Sequence, residues 1–148
     1  MNARQIVLDG RIRDSKGRQF VTGQGHYGDG FSEILRIQQW GYASVPVPGS
    51  RGIIIPLGGN EDQAVFIGGD HGGHTPADLP GGASAIYDAS GNIIKLVGGG
   101  GLVIDVASRT VTITAGEWTL NGNATINGNL HVTGNITTDG TNPNHHSH

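Results

Sequence analysis

The strictest hydrophobic pattern in the chain lies near its C-terminus. Even-numbered positions from Leu120 to Ile136 run Leu120, Gly122, Ala124, Ile126, Gly128, Leu130, Val132, Gly134 and Ile136, while odd positions 121–137 are all Asn, Thr or His. Side chains alternate faces along a strand, so one face is apolar or glycine and the other wholly polar. Superimposed on the alternation is a hexapeptide repeat with glycine at 122, 128 and 134, and Gly140 keeps its phase. Upstream, Ala83–Tyr87, Asn92–Val97, Leu102–Val106 and Thr110–Ala115 are β-rich runs separated by Ala89-Ser90-Gly91, by Gly98–Gly101 and by Ala107-Ser108-Arg109. They recur about every nine residues, the rhythm of a meander of hairpins. Nearer the N-terminus, Arg4–Arg13 alternates loosely, Asp14-Ser15-Lys16-Gly17 reads as a turn, and Glu33–Gln39, Gly52–Leu57 and Ala64–Ile67 read as strands. Short strands and frequent turns of this kind predict a small barrel or sandwich.

The repeat poses a geometric problem. Drawn as one straight strand it extends roughly 55–60 Å, far beyond an ordinary strand. A single-chain β-helix needs about three stacked repeats or more, and these hexapeptides supply scarcely one coil. Three identical chains wound about one axis resolve this, because each then contributes one side of every layer. The apolar face fills a shared axial core, glycines let the backbone turn or approach closely, and closure removes exposed edges. The sequence therefore predicts an intertwined homotrimer over 118–138. The full division is 1–80 barrel, 81–117 meander or prism stalk, 118–138 repeat and 139–148 tip.

Composition supports an all-β chain. Of 148 residues 27 are Gly, 14% are charged and 35% hydrophobic, a poor recipe for helix. There is no cysteine, so neither disulfides nor thiolate metal sites are available. A formal net charge of −3 leaves no basic footprint for nucleic acid. No run approaches the ~18 apolar residues of a membrane helix, and the N-terminus lacks the apolar core of a secretory signal.

The C-terminus, Asp139-Gly-Thr-Asn-Pro-Asn-His145-His146-Ser147-His148, has three histidines and no hydrophobe where a stack of repeats needs a cap. On a threefold axis, His146 and His148 from each chain bring six imidazoles to one point, a set suited to an octahedral transition metal. The plainer alternative is a disordered histidine-containing tail or tag remnant.

Several segments carry a family likeness. Arg36-Ile-Gln-Gln-Trp-Gly-Tyr-Ala-Ser-Val-Pro-Val-Pro-Gly49 is followed in order by Ile53-Ile-Ile-Pro-Leu-Gly-Gly59, Ala64–Asp70, Leu79-Pro-Gly-Gly82, Ala85-Ile-Tyr-Asp88 and Gly91-Asn-Ile-Ile-Lys-Leu96. Taken together they resemble the Mu-type baseplate spike family of contractile phage tails. The resemblance implies an N-terminal OB-fold, a homotrimeric β-helical needle, and a His-x-His apex binding one transition-metal ion per trimer, iron in that family, through His146 and His148. It also implies a place at the distal tip of a virion or tailocin baseplate, with the hub and tail tube as partners and the host outer membrane as the layer pierced. Related spikes carry a short segment beyond His-x-His that folds over the tip, whereas this sequence ends at His148.

Other signals read more plainly. Gly23-Gln-Gly-His-Tyr-Gly28 fits G-x-G-x-x-G, but no helix follows to receive a pyrophosphate, so it is a glycine-rich loop. Gly98–Gly101 lacks the Lys-Ser/Thr of a phosphate loop. Asp70-His71-Gly-Gly-His74 reads as a polar loop rather than a metal site, and His131 as a solvated residue on the polar face. The 12 acidic residues are scattered, without paired carboxylates or a nucleophile–base set, and the expectation is that the chain is not an enzyme. The rival reading is a trimeric receptor-binding fibre or adhesin. A glycan-active shaft is the third, and it lacks acids on the polar face of the repeat.

Overall fold

The computed structural model describes residues 2–137. Five strands, β1 (Arg4–Ser15), β2 (Arg18–Gly25), β3 (Gly30–Arg36), β4 (Arg51–Leu57) and β5 (Asn60–Asp70), close a barrel in the order β1-β2-β3-β5-β4. All neighbours are antiparallel except β3 and β5, which run parallel, with Leu35 beside Val65 and Arg36 beside Phe66. This is an OB-like barrel. Closure depends on β1, whose first residues pair with both β2 and β4 while its far half pairs with β2 alone. The strand bends between Leu8 and Ile12, where the register shifts, and Gly10 sits there at φ 92° under the Pro48 ring. No side chain fits between that backbone and the proline.

Inward alternation places Ile6, Leu8, Val21, Ile54, Ala64 and Phe66 in the core, with Ile12, Phe31 and Ile34 packed against it. The core is small, so tight backbone approach substitutes for bulk. A Cβ at Gly23 would strike the Val7 carbonyl, and one at Gly52 would strike the Phe66 ring. These approaches explain why β2 escaped the sequence pattern. Gly23 and Gly25 belong to the strand, and the turn is confined to the residues after Gly25. Strand β3 starts and ends about three residues before the expected Glu33–Gln39, because Ile37–Gln39 leave the sheet to begin a long loop.

Past the barrel, β6 (Ser84–Tyr87), β7 (Ile93–Leu96) and β8 (Leu102–Asp105) form an antiparallel meander, with a 3-10 turn at Gly98–Gly100 between the last two. Three of the four expected runs are thus strands. The fourth, Thr110–Ala115, is not, and neither is the hexapeptide repeat: from Val106 to Thr137 no strand is assigned. The physical reason is local. Within one chain this segment has no second strand to accept its N–H groups, and all of its residues after Val106 are exposed. Residues Met1–Val111 form one compact unit and Thr112–His148 another. Among the described residues no helix is long and apolar enough to cross a membrane.

Candidate functional site

The strand registers give the barrel two distinct poles. Strand β1 starts beside Ile54 and its Arg4 pairs with Asp29 at 2.7 Å, so the N-terminal end of β1 and the β2–β3 turn at His26–Asp29 share a pole. The β4–β5 turn at Gly58-Gly59 closes the same end. The β1–β2 turn at Lys16-Gly17, the loop 37–50 and the exit of β5 at Asp70 lie at the other pole. There the chain passes into the meander, and the Oγ1 of Thr75 lies 3.2 Å from the hydroxyl of Tyr87 in β6.

Loop 37–50 has no regular structure yet is tightly held. Arg36, the last residue of β3, turns its guanidinium inward and is buried at 9% exposure. It donates from Nη1 to Gln19 Oε1 (2.9 Å) and the Ser44 carbonyl (2.6 Å), from Nη2 to Ser44 Oγ (2.9 Å) and the Gly68 carbonyl (3.2 Å), and from Nε to that same carbonyl (3.2 Å). Gln19 Nε2 also donates to the Ser44 carbonyl, and Ser44 N–H to Gln38 Oε1. Burial holds the Arg36 pKa below its ordinary value, with the nearby Tyr42 acting in the opposite direction. A buried cation with no carboxylate beside it is tolerable because every face of the fork meets an oxygen. At the far end of the loop, Gly49 N–H donates to the Leu8 carbonyl and Leu8 N–H to the Ser50 carbonyl.

On this braced loop several apolar side chains are exposed, while Pro46 and Val47 are half-buried. Trp40 is 98% exposed, and Ile37, Tyr42 and Val45 are exposed too. A shallow pocket of about 290 Å³ adjoins it, between Tyr42–Val47, His71, His74 and Ile86–Ala89. The meander adds an open apolar face. Cross-strand pairing aligns Ile86, Ile94 and Ile104 in one row and Leu96 and Leu102 in the next, all of them exposed. In Thr112–His148, the apolar residues Trp118, Leu120, Ile126, Leu130, Val132 and Ile136 are likewise exposed. Gly122 and Gly128 have φ of 140° and 157°, values at which a side chain is strained.

The predicted tip, 139–148 with His146 and His148, lies outside the described residues. Among the described residues no group of three His, Asp or Glu side chains is gathered to hold a metal. The His71 and His74 rings lie 4.7 Å apart between centroids with their planes tilted by 46°, but His71 Nδ1 accepts the Gly73 N–H, and Asp70 accepts from the Thr75 hydroxyl, so the loop satisfies itself. His131 is exposed. The G-x-G-x-x-G stretch runs from strand to turn to strand, which leaves no helix N-terminus for a phosphate. Sequence reasoning missed the Arg36–Ser44 brace. The available signal was a charged residue in phase with the inward positions of β3.

The family described as "Bacteriophage Mu Gp45, N-terminal" matches residues 10–73, nearly the whole barrel. The baseplate puncturing device gp45 of Escherichia phage Mu is 32% identical over 85 residues, which is 57% of this chain and 42% of that relative. The chain therefore spans less than half the length of the relative it matches.

Proposed function

We propose, from the premise that residues 10–73 belong to the bacteriophage Mu Gp45 family, that this chain is the central spike of a contractile baseplate. In this reading three copies assemble. Their barrels seat on the hub at the distal end of the tail tube, and their repeats wind into a needle that sheath contraction drives through the outer membrane of the target cell. The role is mechanical rather than catalytic. The observation that carries it, beside the family match, is the apolar row of the repeat, which is exposed along a lone chain and strictly separated from the polar row. A trimer buries that row on one axis and leaves Asn, Thr and His outside, a surface with little affinity for lipid. Every layer then holds all three chains, so none can peel away singly under load.

His146 and His148 are the residues that would hold a tip metal. Two imidazoles per chain, six per trimer, form a donor set suited to octahedral iron and not to four-coordinate zinc. The ion would cross-link chain ends that have almost no apolar core.

Light-scattering mass and metal analysis of untagged protein test both parts, with H146A/H148A as the comparison. The expected result is a trimer carrying one metal per three chains, with the metal lost in the double variant. A monomer would sink the spike reading, whereas a metal-free trimer would remove the tip metal alone.

A further inference from the structure

The asparagines of the repeat differ in one respect, the residue that follows each. Asn121, Asn123, Asn127, Asn129 and Asn135 all sit in the polar row, and all are exposed. Asn121 and Asn127 precede glycine, whereas Ala124, Leu130 and Ile136 follow the other three. No strand is assigned over this stretch, and a Cβ built on Gly122 or Gly128 would meet no atom of the described residues within 4 Å. The main-chain nitrogens of both glycines are therefore shielded neither by a side chain of their own nor by packing against them.

Asparagine is thermolabile for a chemical reason. The nitrogen of the next residue, on losing its proton, attacks the side-chain carbonyl carbon Cγ. A C–N bond closes a cyclic imide, and Nδ2 leaves as ammonia, taking up the proton. Water then opens the ring. Cleavage at Cγ leaves aspartate, and cleavage at the main-chain carbonyl leaves isoaspartate, whose backbone runs through the side-chain methylene. A following Cβ crowds the attack, and glycine has none.

The comparable pairs of the barrel are tied down. Asp9, before Gly10, accepts from the Arg11 N–H (2.9 Å) and Nε (2.8 Å), and Gly10 is packed under Pro48. Asp29, before Gly30, accepts from Arg4 Nη1 at 2.7 Å, and Gly30 lies in β3 opposite Gln24. Neither carboxyl is free to swing onto the next nitrogen.

We infer that Asn121 and Asn127 are sites of spontaneous deamidation in the unassembled chain, and that winding into the trimer closes them. The second half rests on the trimeric reading above, in which the glycine N–H groups are committed to neighbouring strands. Each event puts a carboxylate on a row that otherwise holds only Asn, Thr and His. Isoaspartate also adds a carbon to the backbone and breaks the alternation of faces at that point. A chain that waits unassembled thus loses, with time, the pattern that winds it.

Full-length protein is held in warm, mildly alkaline buffer beside the same chain in denaturant. Light scattering gives the mass, and peptide mapping follows each asparagine. In denaturant, Asn121 and Asn127 should convert several-fold faster than Asn123, Asn129 and Asn135; in the trimer they should convert several-fold more slowly than in denaturant. Thr133→Asn places a third asparagine before a glycine, Gly134, and should add a third fast site in denaturant. Equal conversion at all asparagines, or no fast conversion in T133N at its new position, overturns the assignment to the glycine. A trimer whose Asn121 and Asn127 convert as fast as in denaturant overturns closure by assembly. A monomer that converts at both keeps the sites and overturns the trimeric reading, and a monomer that converts at neither overturns both.

Discussion

Arg36 holds Ser44 by two atoms at once, its Nη1 lying 2.6 Å from the serine carbonyl and its Nη2 2.9 Å from the hydroxyl. The barrel wall and the loop that crosses its end are therefore one hydrogen-bonded unit. Arg36→Ala removes the guanidinium donor from the Gly68 carbonyl and from Gln19 Oε1, and leaves the Ser44 carbonyl only its bond from Gln19 Nε2. The expected loss is about 2–4 kcal/mol, read as a lower urea midpoint with the strand signal retained in the folded baseline. Arg36→Lys keeps the charge, but its single ammonium cannot reach all four acceptor atoms that the guanidinium spans, and should recover only a minor part. An R36A chain as stable as the parent would show that the loop is anchored elsewhere.

Gly52 supplies a second test, one of space rather than polarity. A Cβ there would lie 2.5 Å from Cε2 of Phe66 and 2.5 Å from the Ile67 carbonyl oxygen, where the β4–β5 register shifts. Gly52→Ala should cost about 1–3 kcal/mol through overpacking, with a matching fall in melting temperature. The double variant G52A/F66L, which clears the ring, should restore part of the loss. If it restores none, the clash is with the backbone of β5 alone.

The meander has its own acid-sensitive joint. Asp88 accepts from the Asn92 side chain (2.6 Å), the Ser90 N–H (2.8 Å) and the Asn92 N–H (3.0 Å), closing the β6–β7 turn. The side-chain bond from Asn92 is the chief reason its pKa is held below the ordinary 3.8, with Arg109 adding a smaller pull. A carboxyl depressed on folding contributes stability that is fully present above its unfolded pKa and lost as pH falls through the folded value. Melting temperature should therefore fall less for Asp88→Asn than for the parent as pH is lowered through the acid side of 3.8. Identical acid profiles would assign the dependence to other carboxyls, such as Asp9, whose pKa is lowered chiefly by its hydrogen bond from the Arg11 side chain.

The barrel strands most readable in the sequence were those made of short apolar runs. Gly52–Leu57 and Ala64–Ile67 were visible as short continuous apolar runs, although only Ile54, Ala64 and Phe66 among them are buried. Strand β2 was hidden because only Val21 of its buried positions is a core hydrophobe, while Gln19, Thr22 and Gly23 beside it are polar or glycine, Gln19 bonded to Arg36 and Gly23 close against Val7. The extent of β5 was hidden, since Asn60, which pairs with Leu57, and Glu61–Gln63 belong to the strand while remaining exposed. The brace at Arg36 left one signal, the charge in phase with the inward positions of β3, but its partners left none. Three of its acceptors are carbonyls or a serine distant in sequence, and a carbonyl leaves no trace in residue type. The reverse holds for the C-terminal repeat, whose pattern is stronger than anything a single chain can make of it.

That repeat has a further property. Because its glycine spacing and its apolar alternation share a period of six, adding or removing six residues leaves every downstream side chain on its original face, whereas an insertion of three inverts them all. The length of the repeat is therefore adjustable in steps of about 20 Å of extended chain without changing which residues share a face. Duplicating or deleting one short stretch of gene therefore lengthens or shortens this segment while leaving the barrel and the face of every remaining side chain as they are.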